Sequence, residues 1–173
     1  SHQKRPKEVY GTMKLAGEVV TRGLSDFYGI PYTIVRPSAV YGPTDMNRRV
    51  SQIFIEKALN KQKIKVHGKD EKLDFTYIKD IAHGAILATI KKEGIGEDFN
   101  ITHGRAHTLL DYVECLKYHF PDLDYEILPR DSFRPKRGTL SIEKASKLLG
   151  YEPQYSLKEG VNDYVEFINK HWT

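Results

Sequence analysis

Apolar residues recur at every third or fourth position near the start of the chain. This spacing predicts one helix, which ends near Gly29, before Pro31. The run 32–35 that follows is apolar and β-branched, which is typical of a strand buried on both faces of a parallel sheet. Helix and strand together form half of a βαβ unit. The apolar stripe of the helix consists of Val9, Met13, Ala16, Val20, Leu24 and Phe27.

The rest of the chain alternates short helices and strands. Thr108 is the predicted N-cap of one helix, and Ser156 with Glu159 has the capping-box spacing, whereas Ser141 with Lys144 does not. The pattern is mixed α/β, with no repeat and no low-complexity linker. Helices are predicted near 50–58, 81–90, 109–120 and after Ser141 and Ser156, and strands at 64–67, 75–78, 99–102 and 125–128.

Composition narrows the class of protein. A chain of 173 residues with 39% hydrophobic residues can build one sizeable core. The 27 basic and 23 acidic residues are interspersed, so no nucleic-acid partner is expected. No apolar run approaches the roughly 18 residues of a membrane span, and residues 1–7 are too polar for a signal peptide. With Cys115 alone, no internal disulfide forms, and we expect a cytoplasmic protein without membrane attachment.

Tyr10 and Lys14 are the first residues with candidate chemistry. They lie four apart on the predicted helix, so both project from one face. An ammonium beside a phenol favours the phenolate, which makes Tyr10 a candidate general acid or base. With eleven tyrosines in a lysine-rich chain, one such spacing is expected by chance, so the pair acquires meaning only from other motifs.

Those motifs are present in order. YGTMKLAGE at 10–18 is followed by RPSAVYGP at 36–43, DFTYIKD at 74–80, RPKRGTL at 134–140 and EKASKLLGYEP at 143–153. In order and spacing these segments resemble the extended short-chain dehydrogenase/reductase family, in particular its NAD-dependent epimerase/dehydratase branch, which acts on sugar nucleotides. The resemblance runs from about Lys7 to Phe167.

The resemblance implies roles for several residues. Tyr10 would exchange a proton with a sugar hydroxyl while hydride passes to and from the nicotinamide of NAD or NADP, through a transient keto-sugar. Lys14 would hold the nicotinamide ribose together with Tyr10. The cofactor would also be contacted by Pro37, Ser38, Ala39 and Val40.

The same resemblance implies a site for a nucleotide-diphosphate sugar. Arg134 matches the arginine that contacts the diphosphate, and Arg137 is the alternative. The family usually carries arginine where Leu73 stands here, which leaves Lys72 as the candidate cation of that segment. Ala39 stands where many relatives carry asparagine, so no named sugar is assigned.

The implied fold is α/β: an incomplete NAD-binding Rossmann-like fold with a C-terminal mixed α/β substrate-binding domain. Residues 1–46 would be the remnant of the Rossmann-like fold, and residues 47–173 would mainly form the substrate-binding domain. Whether the chain returns to the Rossmann-like sheet near residues 74–103 is left open. The glycine-rich cofactor loop is absent, and Gly94-Ile95-Gly96 does not replace it because no strand precedes it. We therefore expect a fragment, inactive alone, whether natural, recombinant or proteolytic.

Alternative functions remain open at this point. Epimerase, dehydratase and reductase are not separated, because the residues that mark them precede the catalytic tyrosine. The chain also suits a non-catalytic module that binds nucleotide sugars, or a homodimerisation module acting through the helix of Tyr10 and Lys14. His103 and His107 have the spacing of two metal ligands, but they lie in a predicted loop without a third ligand, so no metal site is expected.

Overall fold

A computed structural model describes residues 6, 8–131 and 135–171. They form a mixture of helices and short strands, as the sequence predicts. The helices are α1 Val9–Tyr28, α2 Val50–Leu59, α3 Ile78–Ile90, α4 Leu109–Lys117, α5 Glu143–Leu149 and α6 Leu157–His171, with a 3₁₀ turn at Lys92–Gly94. The strands are β1 Ile34–Pro37, β2 Val40–Tyr41, β3 Ile64–His67, β4 Lys72–Leu73, β5 Thr76–Tyr77, β6 Asp98–Ile101, β7 His107–Thr108 and β8 Tyr125–Leu128.

Helix boundaries follow the capping signals of the sequence. Gly29 ends α1 in the left-handed region, at φ 67°, and its N–H donates to the Ser25 carbonyl. At the start of α4, Thr108 and Asp111 form a capping box in which each side chain accepts from the other residue's N–H. Ser156 and Glu159 exchange the same two bonds before α6. These predictions are confirmed.

Strand β1 begins two residues later than predicted and pairs in parallel with β6, so that Ile34 lies opposite Asp98 and Pro37 opposite Ile101. The parallel pairing is confirmed, but burial on both faces is wrong for the described residues. Three residues of β1 are half-buried and Pro37 is exposed. The reason is that Arg36 belongs to the strand and meets α1 through charged contacts rather than an apolar layer.

Three further pairings connect distant parts of the chain. β2 pairs with β5 and β3 with β8, both in parallel, whereas β4 and β7 are antiparallel. β2, β4 and β7 have two residues each, too few to show an alternating pattern, and the sequence analysis did not predict them. The strand predicted at 75–78 is shorter, because Tyr77 is the N-cap of α3 and Ile78 is already helical.

Two apolar cores form. The larger is centred on the fully buried Tyr112, Val113 and Leu116 of α4, packed with residues of α2, β3 and α6. The smaller joins Phe99 and Ile101 of β6 to α3 and α5, and covers one face of the β1–β6 pair. Strand β6, which lies within residues 74–103, thus brings the chain back to β1. The division of the chain into two domains at residue 46 stays a prediction. No helix in the described part of the chain is long and apolar enough to span a membrane.

Gly160 in α6 tests the larger core. A Cβ there would lie 2.2 Å from the Tyr41 Oη, and Tyr41 is itself held by donation to the Leu157 carbonyl. Gly160→Ala should therefore lower the free energy of unfolding by about 1–3 kcal/mol, measured by urea titration. The control is Gly17→Ala in α1, where nothing lies within 4 Å, which should leave stability unchanged or raise it by up to about 1 kcal/mol. Equal effects of the two would contradict this packing.

Candidate functional site

Tyr10 and Lys14 stand together on the outer side of α1. The Lys14 Nζ lies 5.5 Å from the centroid of the Tyr10 ring, and Tyr10 is 67% exposed. The four-residue spacing therefore brings the ammonium beside the phenol, the geometry on which its proposed chemistry depends. The roles of the two residues stay predictions.

A ring of charged side chains, which the sequence analysis left without a function, joins α1 to the β1–β6 pair. Its members are Glu18 and Arg22 of α1, Arg36 of β1 and Asp98 of β6, and we call them the charge ring. The Arg36 Nε and Nη2 donate to the two oxygens of Glu18 at 2.6 and 2.7 Å, while its Nη1 donates to Asp98. Arg36 belongs to the motif at 36–43, but the sequence alone does not show which side chains it contacts.

Residues 37–40, which are predicted to pass beside the nicotinamide, connect strand β1, which pairs with β6, to strand β2, which pairs with β5. β1 ends at Pro37 and β2 begins at Val40, with Ser38 and Ala39 between them. Ala39 has φ 36°, in the left-handed region that residues other than glycine seldom adopt. The Ala39 carbonyl accepts from the Thr76 N–H at 3.3 Å, which ties the turn to β5.

Lys72 and Arg137 line the same cleft, of about 600 Å³. Its walls are the loop after β3 with β4, the end of β8 and the segment beginning at residue 135. Arg134 lies outside the described residues. The lining is rich in cations, since Lys69, Arg130 and Lys136 accompany the two predicted residues, and its acids are Asp70 and Glu71.

Asp74 holds two walls of this cleft together. Its side chain is fully buried, and its carboxylate accepts from the Gly104 N–H at 3.2 Å and the Leu140 N–H at 3.0 Å. A buried carboxylate is tolerable when backbone donors satisfy it, and here the Leu140 donor anchors the segment that carries Arg137. The quoted motif at 74–80 thus has a structural role that its sequence did not reveal.

The Leu73 departure has a clear structural counterpart. Alternation along β4 exposes Lys72, which lines the cleft, and turns Leu73 to the larger core, against which it is half-buried. Arg130 reaches the cleft from the end of β8, where its Nε donates to Glu71 and its Nη1 to the Asp131 carbonyl. This arginine, which no motif singled out, adds a guanidinium to the cleft that Lys72 lines.

The histidine pair lies beside Asp111, whose Oδ2 is 3.8 Å from the His107 Nδ1. His103 and His107 have ring centroids 5.8 Å apart, and burial lowers the pKa of His107, with the neighbouring His103 adding to this. Among the described residues, no group of three or more His, Cys, Asp or Glu is arranged to hold a metal ion. Cys115 is half-buried against the larger core, and burial raises the pKa of its thiol.

A phosphate-binding turn lies between a strand and the helix that follows it. β5 runs directly into α3 and β7 into α4, and no glycine lies at either junction. Gly94 belongs to a 3₁₀ turn and Gly96 leads into β6, so this pair precedes a strand rather than a helix. In the part of the chain that the structure describes, no glycine-rich turn opens a helix.

Comparison with known proteins agrees with this arrangement. Residues 1–102 match the model of the NAD dependent epimerase/dehydratase family. YtcB of Bacillus subtilis, described as an uncharacterised UDP-glucose epimerase, is 28% identical over 95% of this chain and 52% of its own length. dTDP-glucose 4,6-dehydratase 1 of Escherichia coli is 27% identical over 96% of this chain and 49% of its own. The chain spans about half the length of these curated relatives.

Solved structures show the same fold. A UDP-glucose 4-epimerase of Thermotoga maritima, solved with UDP-glucose, has a TM-score of 0.88 at 30% identity, covering 98% of this chain and 56% of that one. A UDP-glucuronic acid 4-epimerase of Bacillus cereus, solved with UDP-glucuronic acid and NAD, has a TM-score of 0.87 at 30% identity, covering 96% and 54%. The predicted Rossmann-like α/β fold class and the sequence resemblance are confirmed, and the chain belongs to the NAD-dependent epimerase/dehydratase family.

Proposed function

We propose that this chain is the C-terminal part of an NAD(P)-dependent sugar-nucleotide epimerase or dehydratase. The observation that carries the proposal is the cationic cleft, in which Lys72 and Arg137 come together from distant parts of the chain. The ligands bound in the two similar solved structures, UDP-glucose and UDP-glucuronic acid, have a diphosphate that such a cleft suits.

The charges of the cleft support binding of the diphosphate. Glu71 is paired with Arg130, which leaves Asp70 as the other acid among the lining residues. Lys72, Lys136 and Arg137 then supply the positive potential, and Arg137 supplies a fork that matches phosphate oxygens in pairs. Arg134 completes the set in the proposal.

The residues of this chain suit the nicotinamide end of NAD rather than its pyrophosphate. Tyr10 and Lys14 offer a hydroxyl and an ammonium on one open face, where they would hold the nicotinamide ribose, and the 37–40 turn lies at the carboxyl end of a parallel strand. Pro37, Ser38, Ala39 and Val40 would line the nicotinamide. When bound, NAD supplies the acceptor and donor of hydride.

Tyr10 carries the proton transfer. As a phenolate it takes the proton of a sugar hydroxyl while that carbon is oxidised, and it returns the proton when the keto-sugar is reduced again. The Lys14 ammonium lies 5.5 Å from the centroid of the Tyr10 ring, on the same face of α1. Because the described residues contain no glycine-rich phosphate turn, we expect this chain alone to bind NAD poorly and to be inactive.

Tyr10→Phe, made in the natural gene product that contains this chain, should lower kcat by about 10²–10⁴-fold and change KM by no more than a few-fold, since only the proton transfer is lost. Turnover of UDP- and dTDP-glucose with NAD is followed by NMR of the products, which also separates epimer from dehydrated sugar. The control is Tyr118→Phe, because Tyr118 is 70% exposed on another helix end. Full activity of Tyr10→Phe would contradict the proposed role.

A second candidate function is that of a module that binds nucleotide sugars without catalysis. It is favoured by the cleft, because all of the residues that line the cleft belong to the described part of this chain. Isothermal titration of the 173-residue chain with UDP-, dTDP-, GDP- and CDP-sugars should show binding without NAD. Lys72→Ala and Arg137→Ala should each weaken it about tenfold, as expected for one charge-assisted contact. Lys147→Ala, an exposed lysine of α5, should not. Absence of binding to all four would contradict the cleft assignment.

The exposed stripe of α1 supports a homodimer. Met13, Val20 and Leu24 are 66%, 58% and 51% exposed, and Val9 and Phe27 are each 80% exposed. An apolar helix face of this extent favours packing against another helix, and we propose the α1 helix of a second copy.

Light scattering of the chain at high concentration should show a dimer, which Leu24→Lys converts to a monomer. Ile86→Lys places the same charge on an exposed isoleucine of α3 and should leave the dimer intact. A monomer at every concentration would contradict the dimer, and so would a dimer that Leu24→Lys does not affect.

A further inference from the structure

Charged side chains join α1 to the β1–β6 pair in the described chain. None of its twenty residues is buried. Helices in globular proteins are commonly held by an apolar face packed on the core, and in the described chain α1 has no such layer. Within the described residues, a contact between charged side chains joins the helix to the sheet instead.

The charge ring supplies that contact. Arg36 binds the carboxylate of Glu18 with its Nε and Nη2, and its Nη1 donates to Asp98. Arg22 closes the ring, with its Nη2 2.9 Å from Asp98 and its Nη1 3.6 Å from Glu18. Two arginines and two carboxylates thus alternate, and a fork-to-fork pair restricts rotation as well as distance.

The sheet presents its half of the ring on one face. Asp98 lies opposite Ile34 in the parallel register, and Arg36 lies two residues beyond Ile34, so the two charged side chains project to the same side. Val35 and Phe99, which project to the other side, belong to the smaller core. One face of the pair is therefore anchored by apolar packing, while the other carries α1 through charge.

The ring is also tied to the proposed reacting groups. Glu18 follows Lys14 by one helical turn and Tyr10 by two, and Arg36 directly precedes Pro37, where the proposed nicotinamide turn begins. One bidentate contact therefore joins the helix that carries the proton-transfer pair to the strand that presents the cofactor turn.

We infer that Glu18, Arg22, Arg36 and Asp98 position the Tyr10–Lys14 helix against the cofactor turn. The inference rests on the proposed function for its catalytic consequence. The four are positioning residues, since the contacts between them join α1 to the β1–β6 pair. They are sheltered, with side-chain exposures of 15% for Glu18, 28% for Arg36, 29% for Asp98 and 33% for Arg22. Small displacements of reacting groups reduce rates by large factors, so loss of the ring should act on kcat.

A distance measurement tests the positioning without any activity. Spin labels at Thr12→Cys in α1 and Ile90→Cys in α3, in a Cys115→Ser background, report the separation of the helices by double electron–electron resonance. Glu18→Gln should broaden or shift the distance distribution, and Arg36→Lys should do so less, because it keeps the charge but loses the fork. Asp26→Asn removes an exposed charge from α1 and should change nothing. Unchanged distributions in both ring variants would overturn the inference.

Kinetics test the catalytic consequence in the natural gene product that contains this chain. Glu18→Gln should lower kcat at least tenfold while KM for the nucleotide sugar stays within about twofold, and Arg36→Lys should retain more of kcat than Glu18→Gln. Asp26→Asn should match the parent protein. Unchanged kcat in Glu18→Gln, or an equal loss in Asp26→Asn, would overturn the positioning role.

The two failures are distinguishable. A gene product that turns over no nucleotide sugar contradicts the proposed function. The distances between the spin labels then test by themselves whether the charge ring positions α1. An active gene product whose ring variants keep both their distances and their kcat contradicts the charge ring and leaves the proposed function standing. Circular dichroism of each variant verifies that it is folded, and two ring variants guard against the loss of either one.

Discussion

The parallel pairing of β1 with β6 is the constraint on which the rest of this structure depends. It brings residues 34–37 beside 98–101, across more than a third of the chain. Its apolar side organises the smaller core with α3 and α5, and its charged side receives α1. The 37–40 turn begins at Pro37, the last residue of β1, and directly follows the Arg36 that contacts α1. The charge ring depends on this register, because its members Arg36 and Asp98 come from the two paired strands.

Buried carboxylates connect this platform to the larger core. Asp74 accepts backbone N–H groups of Gly104 and Leu140, and Asp80 accepts those of Gln154 and Tyr155. In each case a charge with almost no exposure is satisfied by loop donors, so that the loops are held where a side chain needs them. The cleft of Lys72 and Arg137 is a product of this arrangement, since the segment that carries Arg137 is anchored at Leu140.

The sequence predicted local structure well where the signal is local. The end of α1 at Gly29, the Thr108 and Ser156 caps, β3 and β8 all follow from spacing, turn chemistry and short alternation. Strands of two residues carry no such signal, because they are defined by their partner and not by their own pattern. The burial predicted for both faces of β1 is wrong for the same reason, since the residues of a strand do not indicate which other elements pack on it.

By itself the sequence determined the alternation of elements, the family, and the pairing of Tyr10 with Lys14, because four-residue spacing on a helix is enough to bring two side chains together. It also marked Lys72 and Arg137 as separate candidates. Only the tertiary structure decided that these two share one cleft, that Leu73 turns to the core while Arg130 approaches the cleft, and that Arg36 joins α1 to the sheet. Each of these depends on strand register and buried hydrogen bonds between residues far apart in the chain, which local spacing does not encode.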